Sequence, residues 1–133
     1  MSTIESNKTA VERPAESIFN FLSDFNNFKS LMPPQVTNWQ STSDTCSFTI
    51  TGMAEIGMKI VEKTPNSLIR ISSDGKVPFK FTLYEHIETV EAGNRITQLI
   101  MKADVTPFMG AMVNGPLKNF LNLLVQKMKD IPA

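Results

Sequence analysis

The chain carries a single cysteine, Cys46, a single histidine, His86, and a single tryptophan, Trp39. One thiol closes no internal disulfide, so nothing in the sequence demands an oxidising compartment. One histidine and one cysteine are too few for an ordinary zinc site. No metal or organic cofactor is expected. An excess of one charge is missing as well: 13 basic and 13 acidic side chains cancel. That leaves no net field to draw in nucleic acid or anionic lipid. No apolar run approaches the ~18–20 residues needed to cross a bilayer, and no glycine-rich phosphate loop is present. The opening Met1-Ser2-Thr3-Ile4-Glu5-Ser6-Asn7 lacks the basic stretch followed by an apolar one that marks a signal peptide. These absences set the expectation of a soluble, cytoplasmic protein with no nucleic-acid partner and no stable membrane insertion.

What is present is an ordinary globular balance, 41% hydrophobic and 20% charged residues over 133 positions. That length suits one core, and residues 1–133 are expected to form one domain. The last quarter reads as one long amphipathic helix. From Pro107, apolar residues fall at Met109, Met112, Val113, Leu117, Phe120, Leu121, Leu124 and Met128, the steps of three and four that make one helical face. Asn119, Asn122, Gln126, Lys127, Lys129 and Asp130 fill the other. Thr106 suits the N-cap and Pro107 the first helical position. Such a helix spans ~35 Å at about 1.5 Å per residue, so only a broad apolar surface covers its stripe.

The preceding sequence supplies that surface as strands. Thr3 to Glu12 reads as a first strand. Pro14 opens a helix with Ile18, Phe19 and Leu22 inward and Glu16 at its positive end. Ser23-Asp24 breaks it and caps a second short helix bearing Phe25, Phe28, Leu31 and Met32, which Pro33-Pro34 ends. From Val36 the period becomes two. Strands are predicted over Val36–Ser41, Thr45–Thr51, Ala54–Lys63, Ser67–Ser73, Phe79–Val90 and Arg95–Val105. In the last of these the inner set is Thr97, Leu99, Met101 and Ala103, because the opposite parity buries Lys102 and Asp104. Gly52-Met53, Pro65-Asn66, Asp74-Gly75 and Gly93-Asn94 supply short turns, which imply antiparallel neighbours. Gly57 inside its strand marks a bulge or bend. The expected architecture is α+β: a curved antiparallel sheet of about seven strands wrapped around a long C-terminal helix, with two short helices after the first strand.

On these residues the chain resembles the START-like superfamily with the helix-grip fold (SRPBCC), which includes Bet v 1-like proteins, polyketide cyclases and lipid-transfer domains. Four segments carry the resemblance: Arg13-Pro14-Ala15-Glu16-Ser17-Ile18-Phe19 leading to Leu22-Ser23-Asp24; Leu31-Met32-Pro33; the alternating strands; and the helix after Asp104-Val105-Thr106-Pro107. The resemblance implies a cavity under the long helix that takes a small hydrophobic or amphipathic molecule, such as a lipid or a polyketide-like compound. A shared fold does not by itself transfer an activity.

By parity the wall of that cavity comprises Cys46, Phe48 and Ile50 on one strand, Met58 and Ile60 on the next, then Ile71. Phe79, Phe81 and Leu83 follow, then Thr97, Leu99 and Met101. The helix adds Met109, Met112, Val113 and Phe120. Thioethers and aromatic faces suit varied apolar guests, and they suit a solid core equally well. Cys46 points inward and His86 outward, so a Cys–His nucleophile pair is not expected and Cys46 reads as an inert thiol. Glu85 continues the inner parity. A carboxyl there is a candidate acid, base or hydroxyl anchor; past the cavity rim it would merely touch water. Thr97 offers a hydroxyl, either to a ligand or simply to its neighbours. Gly115-Pro116 predicts a kink that tilts the first part of the helix and opens a mouth. Two functions compete. Ligand binding or transport needs only the apolar wall. A cyclase- or dehydratase-type enzyme needs two or more ionisable groups inside it, and parity supplies only Glu85. Binding therefore ranks first. A protein-interaction role for Trp39 or the outer sheet face ranks third.

Overall fold

A computed structural model describes residues 2–52, 54–75, 77–90 and 95–131. The strands are β1 (Ser2–Glu5), β2 (Thr9–Val11), β3 (Val36–Ser41), β4 (Thr45–Ile50), β5 (Ala54–Thr64), β6 (Leu68–Ser73), β7 (Phe81–Thr89) and β8 (Arg95–Ala103). Two short helices, α1 (Ala15–Leu22) and α2 (Phe25–Phe28), follow β2, and a 3-10 turn, Lys29–Leu31, extends α2. The long helix α3 (Pro107–Lys127) ends in a second 3-10 turn, Met128–Asp130. All strands join one antiparallel sheet in the order β1-β8-β7-β6-β5-β4-β3, with β2 also on β8. This is the helix-grip arrangement expected from the alternation.

The expected first strand is two. Glu5 opposes Ile100 and Thr9 opposes Thr97, so four steps on one side meet three on the other. The extra residue is a bulge. Ser6 holds it: its Oγ accepts the Leu99 N–H at 2.9 Å, and its own N–H donates to the Leu99 carbonyl at 2.8 Å. The shift keeps Ile4 and Val11 both buried, which an uninterrupted strand could not do.

The caps are as predicted. Thr106 Oγ1 accepts the Met109 N–H at 3.2 Å, and Asp24 Oδ1 accepts the Asn26 N–H at 2.9 Å. Asn66 and Gly75 have positive φ at their turns. The predicted turn Gly93-Asn94 lies outside the described residues, as does Met53 of Gly52-Met53. Gly57 does not mark the irregularity in its strand, which falls between Ile60 and Glu62. Gly57 instead permits a close approach. A Cβ there would collide with the Asp74 carbonyl oxygen, where the chain leaves β6.

The core lies between the inner sheet face and the second half of α3. Leu117, Phe120, Leu121, Leu124 and Val125 are buried, each contributing about 1.5–3 kcal/mol. Two contacts fasten this half. The Asn7 N–H donates to Asn122 Oδ1 at 2.7 Å, and Arg13 Nε donates to the Ile131 carbonyl at 2.7 Å. The first half departs from the expected stripe. Met112 is 64% exposed and Phe108 79%, while Met109 and Val113 are half-buried. The apolar spacing runs the length of the helix, but the sheet covers only part of it. α3 is continuous through Gly115-Pro116. Pro116 removes the N–H that would bond the Met112 carbonyl, so the ladder has a gap at the junction of the two halves.

Candidate functional site

The space between sheet and helix is nearly filled. The gap has a volume of about 20 Å³, room for a single water-sized probe. Its wall is apolar throughout. Phe48, Ile50, Ile56 and Met58 come from β4 and β5, Phe81, Leu83 and Met101 from β7 and β8, and Leu117, Phe120, Leu121 and Leu124 from α3; Phe28 and Phe79 complete it. The open hollow anticipated from the sequence is closed in this conformation, because phenylalanine and leucine side chains interdigitate across it.

Directly outside lies a second concavity of about 450 Å³, between α3 and the end of β4. Met112, Val113 and Pro116 form its helical side and Gln35, Thr51 and Gly52 its opposite side. Ile50 and Phe120 line both the groove and the inner gap. These two side chains are therefore the partition between them. Phe120 also ends an aromatic stack. Trp39 lies on Phe48 with centroids 5.3 Å apart at 26°, and Phe48 lies on Phe120 at 6.2 Å and 27°. Trp39 reaches the inner wall because β3 is irregular between Thr37 and Gln40, with Asn38 at φ 55°. Its indole N–H donates to Ser41 Oγ at 3.1 Å. Trp39 is thus half-buried in this stack.

Glu85 is the exceptional polar residue. It is 1% exposed, and neither carboxyl oxygen has a hydrogen-bond partner. Burial holds its pKa well above the ordinary value. On the sheet it sits between Ile69 and Leu99. The alternative that it lies at a wet rim is excluded. Burial, and then the charge of Glu85, push the Cys46 thiol up to about 12, with a backbone hydrogen bond from Met58 opposing. A thiol so raised is protonated and unreactive at neutral pH. His86 is exposed and stacked beside Tyr84, as its parity indicated. The Thr97 hydroxyl is taken up by a neighbour: it donates to the Thr9 carbonyl at 3.3 Å.

The structure thus sorts the sequence-predicted wall. Phe48, Ile50, Met58, Phe79, Phe81, Leu83, Met101 and Phe120 converge on the gap. Cys46, Ile60, Ile71 and Leu99 are buried on the same sheet without bordering it, and Met109 is half-buried on α3. Met112 and Val113 belong to the outer groove. Of the four methionines in that wall, Met58 and Met101 border the gap and Met109 and Met112 do not. Phe28, Ile56, Leu117, Leu121 and Leu124 also border the gap, beyond the wall expected from the sequence. Their apolar spacing was visible; which of them face the unfilled point depends on sheet curvature. A larger concavity, about 660 Å³, lies elsewhere on the outer sheet face, lined by Asp74, Lys80, Tyr84, Lys102 and Asp104 among others. Its mixed charges and hydroxyls suit water rather than an apolar guest. Among the described residues no cluster of side chains suited to holding a metal ion occurs, and no helix is long and apolar enough to cross a membrane.

No family model matches the sequence, and no curated protein does. Solved structures do match in fold. A START superfamily protein from Mycobacterium smegmatis superposes with a TM-score of 0.75 at 15% identity, covering 96% of this chain and 94% of that one. Norcoclaurine synthase from Thalictrum flavum gives 0.76 at 12% identity, covering 97% and 84%. The protein XoxI from Bacillus cereus gives 0.75 at 8%, covering 98% and 94%. At these identities the likeness is one of architecture.

Proposed function

We propose, for a chain that has the START-like helix-grip fold, that the protein binds a small hydrophobic or amphipathic molecule between its sheet and α3. The observation that carries this reading is the shared partition. An apolar interior with an unfilled point and an outer groove share Ile50 and Phe120 as common lining. Rotation of Phe120, or outward movement of the first half of α3 at the Pro116 break, joins the two spaces. A guest then replaces side-chain contacts with its own at about 25 cal/mol per Å² of apolar surface buried. The closed conformation lowers apparent affinity by the fraction of molecules that are open. A lipid or polyketide-like compound has the required apolar character. A cyclase or dehydratase would need a second ionisable group working with Glu85. Cys46 is the other buried ionisable side chain among the described residues, and no hydrogen bond joins the two.

Native mass spectrometry of the purified protein tests the reading. It is expected to reveal a co-purifying apolar molecule, or uptake of added 2-methylnaphthalene. Phe81→Trp, which fills the gap, is expected to lower that occupancy by ~10-fold or more, about 1.4 kcal/mol. Met112→Trp, on the exposed rim, is expected to leave the inner compartment in place. Equal loss in a correctly folded Met112→Trp, with none in Phe81→Trp, would move the site outside the core.

A further inference from the structure

We propose that Glu85 is a recognition group for a ligand carrying a basic amine at the end that reaches deepest, with the ligand's apolar body between sheet and α3. The proposal rests on the binding reading above and specifies its ligand class.

Three observations lead to it. The first is that the carboxyl is buried and unpartnered at both oxygens. Native interiors seldom leave such a group without a role. Ser6 and Thr97, likewise buried, are satisfied: Ser6 Oγ accepts from the Leu99 N–H, and Thr97 Oγ1 donates to the Thr9 carbonyl. Asn114 Oδ1, on half-buried Asn114, is another buried oxygen without a partner. The second is position. Leu83 and Met101 oppose one another on β7 and β8 and both line the gap. Glu85 and Leu99 are the next inner pair on the same two strands. Two residues along a strand is ~7 Å. Glu85 and Leu99 do not themselves border the gap, so a guest reaches the carboxyl by widening the gap along this pair of strands. The third is the surroundings. Glu85 lies between Ile69 and Leu99 across the sheet, and between Leu83 and Ile87 along its own strand. None of these side chains can donate a hydrogen bond.

The chemistry of that setting selects the partner. An amine and a carboxyl share one proton between them. The pair is neutral overall whether it exists as acid and amine or as carboxylate and ammonium, so the core takes up no net charge. As carboxylate and ammonium the hydrogen bond is charge-assisted, about twice as strong as a neutral one. An alcohol would supply only the neutral bond. A carboxylate ligand would place two acids together, which disfavours ionisation of either. Buried Glu85 holds its own proton and the free amine enters from water as an ammonium, so binding releases one proton to solvent and leaves one shared by oxygen and nitrogen.

Four probes of one shape test the proposal by calorimetry at fixed pH: naphthalene, 1-naphthylmethylamine, 1-naphthylmethanol and 1-naphthoate. The protein is expected to bind the amine at least ~10-fold tighter than the naphthoate, with the alcohol between them. In Glu85→Leu the amine-to-naphthalene affinity ratio is expected to collapse, with Glu85→Gln retaining part of it. Circular dichroism establishes that each variant is folded, and Glu85→Gln carries the test if Glu85→Leu is not. Naphthalene binding without an amine preference, or a preference that survives in both variants, overturns this inference while leaving the binding reading in place. Failure of all four probes to bind the unaltered protein overturns both.

Discussion

Replacing Glu85 with leucine is expected to make the protein more stable above pH 5, by an amount that grows with pH. Burial raises the pKa of Glu85 in the folded state well above the ordinary value of 4.5. The folded state therefore holds a proton that the unfolded chain releases. Below about 4.5 both states are protonated, and Glu85 adds no pH dependence. Above it, folding must hold that proton at increasing cost. Stability falls by about 1.4 kcal/mol per pH unit until the folded-state pKa is passed. Leucine has no such dependence, and it also removes a buried polar group with no partner, worth about 1–3 kcal/mol. Urea unfolding of both proteins at pH 4.5, 6 and 8 checks this. The curves are expected to diverge steadily toward alkaline pH. Parallel curves, or a less stable variant at pH 8, would mean that Glu85 is ionised in the folded state.

Gly57→Ala is expected to destabilise the protein by about 1–3 kcal/mol through overpacking. The added methyl would occupy the space of the Asp74 carbonyl oxygen. Moving that carbonyl also disturbs the adjacent Asp74 N–H bond to the Gly57 carbonyl, 2.9 Å long. Both atoms belong to backbone, which yields less readily than a side chain. Gly115→Ala is the contrasting substitution. It meets nothing within 4 Å and lies within α3, so a gain of about 0.5–1 kcal/mol is expected. The midpoints of urea unfolding should move in opposite directions. A Gly57→Ala protein as stable as the original would contradict the close approach of the two backbones.

The alternation of apolar and polar residues made most of this architecture legible. Phe48 and Ile50, Met58 and Ile60, and Phe81, Leu83, Glu85 and Ile87 all take the face that parity assigns. So do Thr97, Leu99, Met101 and Ala103, chosen to keep Lys102 and Asp104 out of the core. Three features were not legible because they arise from tertiary geometry. The bulge at Ser6 depends on pairing with β8, more than 90 positions away. The exposure of Met112 depends on how far the sheet extends beneath α3. The inward stacking of Trp39 depends on Asn38 adopting a positive φ. The candidate site was legible as a wall but not as a volume. A residue pattern places side chains on a face; curvature and rotamers decide how nearly they meet.

Methionine methyl groups offer the most direct measurement of whether the interior opens to a guest. Met58 and Met101 border the inner gap, whereas Met112 borders only the outer groove. In a protein labelled with 13C at methionine methyls, titration with 2-methylnaphthalene should shift the Met58 and Met101 resonances and give intermolecular NOEs to both. Shifts confined to Met112, with Met58 and Met101 unmoved at saturating probe, would place the molecule on the surface and contradict binding between sheet and helix.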